Sequence, residues 1–171
     1  MYVLRAFDGN EAASLLAEAA RSTGWGDAVI NADLAVDRAV RDAEVLHEAA
    51  NPALIGRCRE LLFAATRRIA SQDAPGTVLA EIQIVRYHPG GKYVEHRDTP
   101  ALGATPRALS LVAYLNEDYT GGETVFIDPD VRIAPLSGAV VVFLPVLLHR
   151  AEPVLAGTKY AITAWYHVPP A

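Results

Sequence analysis

The sequence predicts an α+β fold in one domain, and three observations predict it. Up to about residue 76 apolar residues recur at helical spacing, whereas from Thr77 onward the chain breaks into short β-rich runs separated by glycine and proline. The third is size: 171 residues, 51% of them apolar, fill one good core and not two. The expected domain is therefore 1–171. Its helices, in 1–76, pack on one sheet of a double-stranded β-helix, or jelly roll, that occupies 77–171.

A short strand, Tyr2 to Phe7, comes first. A helix follows behind the polar start at Asp8 to Asn10, because Ala12, Leu15, Leu16, Ala19 and Ala20 recur on one face. A second helix begins at Asn51 as N-cap with Pro52 in the first helical position, and Leu54, Ile55, Cys58, Leu61, Leu62 and Ala65 form its apolar side. The expected strands are Val78 to Tyr87, Leu109 to Asn116, Thr124 to Ile127, Val140 to Phe143 and Tyr160 to His167. Turn residues fall between them at Pro89-Gly90-Gly91, Gly121-Gly122, Asp128-Pro129-Asp130, Ser137-Gly138 and Ala156-Gly157. Two stretches, Ile30 to His47 and Thr99 to Arg107, lack strong periodicity and are candidates for a lid. No internal repeat, low-complexity tract or linker interrupts the chain.

Composition excludes several partners. Acidic residues (20) outnumber basic ones (15) and no Lys/Arg cluster occurs, so the footprint for a phosphate backbone is missing and nucleic acid is not an expected partner. The longest apolar run, Ala139 to Leu148, contains Pro145 and falls well short of the roughly 20 residues that span a bilayer, so no membrane association is expected. The first ten residues include Arg5 and Asp8 and lack a secretory pattern, and a single cysteine, Cys58, allows no internal disulfide. Both point to a cytoplasmic location. Cys58 sits on a helix face with no activating partner evident, which favours packing over nucleophilic catalysis.

The chemistry is carried by His96 and Asp98. On an extended strand, residues two apart point to the same side, so both can reach one ion. His149, after a predicted strand, supplies a third donor. Two histidines and one carboxylate form a face that leaves neighbouring coordination positions on Fe(II) open for a co-substrate and dioxygen. A kinase catalytic loop at His96-Arg97-Asp98 is excluded, because Gly103 stands where that motif requires asparagine and no Gly-rich loop with a partner lysine precedes it. Lys159 heads the strand Tyr160 to His167, with Thr163 and Trp165 at alternate positions. It suits a dicarboxylate that needs a cationic partner once out of water, or is a solvated strand-entry lysine.

From about Glu81 onward the chain resembles the prolyl 4-hydroxylase-like branch of the 2-oxoglutarate and iron(II)-dependent dioxygenases. The matching pieces are Arg86-Tyr87-His88-Pro89-Gly90-Gly91-Lys92-Tyr93 leading to His96-Arg97-Asp98, then Ala113-Tyr114-Leu115-Asn116 and Gly121-Gly122-Glu123-Thr124-Val125-Phe126. Pro135-Leu136-Ser137-Gly138 and His149-Arg150 with Pro153-Val154 follow, and the last piece runs from Gly157-Thr158-Lys159-Tyr160 through Trp165. Roughly half the chain is covered, in the family's order and spacing.

The resemblance implies Fe(II) on His96, Asp98 and His149, with 2-oxoglutarate and O2 as co-substrates. It implies that Lys159 pairs with the distal carboxylate of 2-oxoglutarate, that Tyr87 and Thr163 hydrogen-bond nearby, and that Tyr114, Thr124 and Trp165 line the same pocket. Core packing is the alternative for Tyr114 and Trp165, and a strand start for Thr124. Arg107 and Arg150 are candidates for holding a substrate carboxylate or are simply exposed, while His88 and His167 read as surface or structural. Because Asp98 is a carboxylate where related halogenases have a small residue, the implied outcome is hydroxylation. The expected substrate is a small or amino-acid-like molecule, with a peptidyl prolyl or other protein residue as the alternative. A non-catalytic metal-binding jelly-roll sensor is the reading of another class, and a zinc hydrolase gives no reason for Lys159. Oligomeric state is not readable from the sequence.

Overall fold

The computed structural model describes residues 1–30, 35–100 and 104–169. β1 (Tyr2–Arg5) leads into α1 (Gly9–Arg21) through a capping box: Asp8 accepts from the amides of Asn10 and Glu11, both at 2.8 Å, and Glu11 accepts from the Asp8 amide. Short strands β2 (Gly26–Asp27), β3 (Arg41–Asp42) and β4 (Glu44–His47) precede α2 (Pro52–Asp73), whose Asn51 cap accepts from Leu54 N ahead of Pro52. The rest is β structure: β5 (Val78–Tyr87), β6 (Lys92–His96), β7 (Arg107–Tyr114), β8 (Thr120–Gly121), β9 (Thr124–Phe126), β10 (Val131–Ile133), β11 (Ala139–Phe143), β12 (His149–Ala151), β13 (Val154–Ala156) and β14 (Lys159–His167).

A seven-stranded sheet in the order β1-β11-β7-β14-β5-β4-β2 faces a five-stranded sheet in the order β10-β9-β12-β6-β3, and β13 pairs with β8. From β5 onward the chain passes repeatedly from one large sheet to the other, which is jelly-roll topology. The larger sheet has two different faces because side chains alternate along each strand. Ile84, Leu111 and Ile162 share one buried cluster with Leu15, Leu54, Ile55 and Leu62 of the helices. The opposite face of β5 and β14 turns toward the other sheet and lines a cavity.

The first 76 residues are not purely helical. β1 and β4 extend the larger sheet through β11 and β5, and β3 extends the smaller one through β6. This corrects the lid expectation for the end of Ile30 to His47, since Val45 and Leu46 are buried in a paired strand. Strands of two to four residues are too short to carry a readable period, which is why this stretch looked irregular. Residues 31–34 and 101–103 of the two lid candidates lie outside the described residues. Beside them, Val29, Ile30, Thr99, Pro100 and Ala104 line the cavity. Among the described residues no helix is long and apolar enough to cross a membrane.

Candidate metal and co-substrate site

His96 ends β6 and is paired directly with His149, the first residue of β12. Asp98 is not on the same strand, as the spacing had suggested. The strand has ended, and the chain is turned inward where the Asp98 amide donates to Pro145 O at 2.9 Å. The outcome is nonetheless a three-donor face. Asp98 Oδ1 lies 3.6 Å from His96 Nε2 and 3.9 Å from His149 Nε2, and the ligand atoms of all three lie within 4.8 Å of one another.

The donor set fits a divalent ion on its own chemistry. His96 Nδ1 lies 2.8 Å from Val94 O and His149 Nδ1 2.9 Å from Leu147 O, so each Nδ1–H is committed to a carbonyl and each Nε2 lone pair is free. Burial, with Asp98 and His96 as opposing neighbours, lowers the pKa of His149 and favours the neutral ring that binds metal. Burial alone pushes the Asp98 carboxyl up, but the two neighbouring histidines outweigh it and lower its pKa, so the group stays a carboxylate. Tyr93 stacks on His96 with ring centroids 3.5 Å apart and fixes its plane from the other side.

Trp165 lines the cavity and makes one polar contact there. Its Nε1 donates to Asp98 Oδ2 at 3.0 Å, which orients the ligand carboxylate. Arg107 covers the Trp165 ring with its guanidinium carbon 3.9 Å from the centroid, donates to Asp98 O at 3.2 Å and is ion-paired with Glu81 at 2.7 Å. His167 lies 3.6 Å from the same Glu81 carboxylate. Arg107 is therefore occupied in supporting Asp98. Arg150 is likewise held by Glu95 and Glu152, and His88 sits exposed beside Glu44. Trp165→Phe keeps an aromatic ring, smaller than the indole, and removes the N–H. It is expected to weaken metal binding by about 10-fold to 100-fold. An anaerobic Co(II) titration measures this, and an unchanged affinity would mean that Asp98 is oriented without Trp165.

The second half of the site is Lys159. It opens β14 directly opposite Tyr87 on β5, is 2% exposed and makes one hydrogen bond, Nζ to Gly122 O at 2.7 Å. Gly122 turns that carbonyl inward with φ +67°, and a Cβ there would meet Tyr119, Val154 and Lys159 at 3.0–3.3 Å. No carboxylate bonds to the ammonium among the described residues, and burial lowers its pKa to about 8 against the opposing pull of Glu123. A buried cation with unspent donors facing a cavity fits a carboxylate-bearing ligand. Cys58, by contrast, is buried away from the cavity and its thiol is pushed up to about 12, which agrees with packing.

The cavity measures about 1050 Å³ and brings these parts together. Glu81, Gln83, Val85 and Tyr87 of β5 stand opposite Trp165, Thr163, Ala161 and Lys159 of β14, and all eight line it. Thr124 is also on the wall, while Tyr114 stands behind it with its hydroxyl donating to Thr124 Oγ1 at 2.8 Å. Thr163 accepts from Gln83 Nε2 at 3.0 Å. Sequence reasoning did not single out Glu81, Gln83, Tyr93 or Arg41. The alternation of Glu81, Gln83, Val85 and Tyr87 on a predicted strand is the signal that could have found the first two.

Residues 82–167 match the family described as the 2OG-Fe(II) oxygenase superfamily. A PKHD-type hydroxylase of Hyphomonas neptunium is 29% identical over 180 residues, covering 96% of this chain and 76% of that protein. A PKHD-type hydroxylase of Maricaulis maris is 32% identical over 91 residues, covering 51% of this chain, and the chain spans only 42% of its length. Among solved structures, a prolyl hydroxylase from Trichoplax adhaerens in complex with a hypoxia inducible factor peptide fragment superimposes with a TM-score of 0.80. It is 17% identical and the match covers 98% of this chain and 83% of that one, a likeness of fold.

Proposed function

The chain belongs to the 2OG-Fe(II) oxygenase superfamily, and on that premise we propose that it is a 2-oxoglutarate-dependent hydroxylase of a small, amino-acid-like molecule. The observation that carries the reading is the buried Lys159, with no carboxylate bonded to it among the described residues, on the wall of the cavity that holds His96, Asp98 and His149. Fe(II), when bound, couples decarboxylation of 2-oxoglutarate to reduction of dioxygen, giving succinate and carbon dioxide and the power to hydroxylate an unactivated C–H bond.

The chain's own residues do the rest. His96, Asp98 and His149 hold the metal, and their spacing leaves coordination positions for the co-substrate. Lys159 takes the distal carboxylate of 2-oxoglutarate, with Thr163, Tyr87 and Thr124 as polar neighbours on the wall. The Trp165 N–H and the Arg107 guanidinium keep Asp98 in place, and apolar walls at Val85, Val112 and Ala161 exclude water around the reacting centre.

Peptidyl prolyl hydroxylation is the second reading, supported by the peptide in the Trichoplax complex. The experiment is a substrate screen by mass spectrometry for gain of one oxygen atom coupled to succinate release. Oxidation of a small molecule supports the first reading. Oxidation confined to prolyl peptides supports the second.

A further inference from the structure

The charges on the cavity wall point to what kind of molecule enters it. The chain as a whole is acidic, with net charge −5, yet among the described residues five basic ones line the cavity against two acidic ones, Glu81 and Asp98. A ferrous ion and a doubly ionised 2-oxoglutarate cancel one another, so loading the site leaves this excess in place. Two of the five are already neutralised: Arg107 by Glu81, and Arg150 by Glu95 and Glu152 outside the wall. Lys159 is taken by the co-substrate, and Arg97 is exposed, donating to Val146 O.

Arg41 is different. It is 9% exposed, lies on β3 beside the strand that carries His96, and lines the cavity. Its Nη1 donates to Val29 O at 2.9 Å, its Nε is buried with no partner, and no carboxylate pairs with it among the described residues. The guanidinium carbon sits 4.9 Å from the centroid of Tyr93, the ring stacked on His96, so the guanidinium and a metal ligand pack against the same aromatic ring. A buried guanidinium in this state is costly unless a ligand completes it, and its planar donors match a carboxylate.

We propose that the oxidised substrate is an anion and that Arg41 grips its carboxylate beside the metal. The proposal rests on the oxygenase reading above and narrows it to free acids, against amides and peptides of the same side chain. A carboxylate at Arg41 has two possible sources, the substrate or 2-oxoglutarate itself, and the test separates them.

Protein loaded with Fe(II) and 2-oxoglutarate is given a panel of free L-amino acids and small carboxylic acids, each matched with its amide, and a capped prolyl tripeptide. Succinate release and gain of one oxygen are measured. At least one acid is expected to stimulate turnover at least tenfold more than its amide. Arg41→Gln is expected to lower kcat/KM for that acid about 30-fold or more, with Arg41→Lys in between, while KM for 2-oxoglutarate moves less than twofold. Equal action of acids and amides in the wild type, action of the tripeptide alone, or no response to any acid would overturn the proposal even if Arg41→Gln failed to fold. A rise in KM for 2-oxoglutarate in Arg41→Gln would assign the guanidinium to the co-substrate and overturn it too. Absence of succinate from the wild type under every condition would instead reject the oxygenase reading.

Discussion

Lys159→Met is expected to remove 2-oxoglutarate binding and to make the empty protein more stable. The two effects have one cause. In the empty cavity the ammonium is buried with a single hydrogen bond to Gly122 O, and methionine fills similar volume without a charge to desolvate. A gain on the order of 1–3 kcal/mol in denaturant unfolding is expected, while affinity for 2-oxoglutarate falls at least about 30-fold, since the dicarboxylate loses its cationic partner.

The pH dependence gives the same account a second sign. Burial lowers the Lys159 pKa from 10.5 to about 8, so between those values the unfolded chain binds more protons than the folded one. Stability of the empty wild type should therefore gain from this group as pH rises from about 8 to 10.5, whereas affinity for 2-oxoglutarate should fall above about 8 as the ammonium is lost. Lys159→Met should lack both slopes. A variant that unfolds more easily and still binds 2-oxoglutarate would remove Lys159 from the site.

Asp98→Ala is the second large effect. It deletes the only carboxylate of the three-donor face and leaves two imidazoles, that of His149 buried, and a Trp165 N–H without their common partner. Loss of an outer partner costs up to roughly 100-fold in metal affinity, and loss of a ligand should exceed that. Turnover of 2-oxoglutarate is expected to be abolished. Succinate formation at the wild-type rate would remove Asp98 from the metal site.

Long elements and motif residues were legible in the sequence because they carry their own signals. The caps at Asp8 and Asn51 mark both helices, and the ten-residue strand Val78 to Tyr87 is long and rich in β-branched residues. The metal donors were legible as residue types, but the turn that brings Asp98 back to His96 depends on the Pro145 carbonyl forty-seven positions away. Arg41 lies on a two-residue strand outside the matched motifs, and nothing local says that it faces the cavity. The roles of Trp165 and Arg107 were missed for a related reason. Each is set by a partner distant along the chain, with Trp165 reaching Asp98 and Arg107 pairing with Glu81.

The most direct test of a 2-oxoglutarate-dependent iron centre built on His96, Asp98, His149 and Lys159 is an anaerobic optical titration. Fe(II) is added first and 2-oxoglutarate second, with wild type, Asp98→Ala and Lys159→Met side by side. A weak visible charge-transfer band should grow in the wild type only after the second addition. It should be absent in Asp98→Ala and require far more 2-oxoglutarate in Lys159→Met. A wild type that binds Fe(II) and gives no band at any 2-oxoglutarate concentration would contradict the account and favour a metal-binding protein without this chemistry.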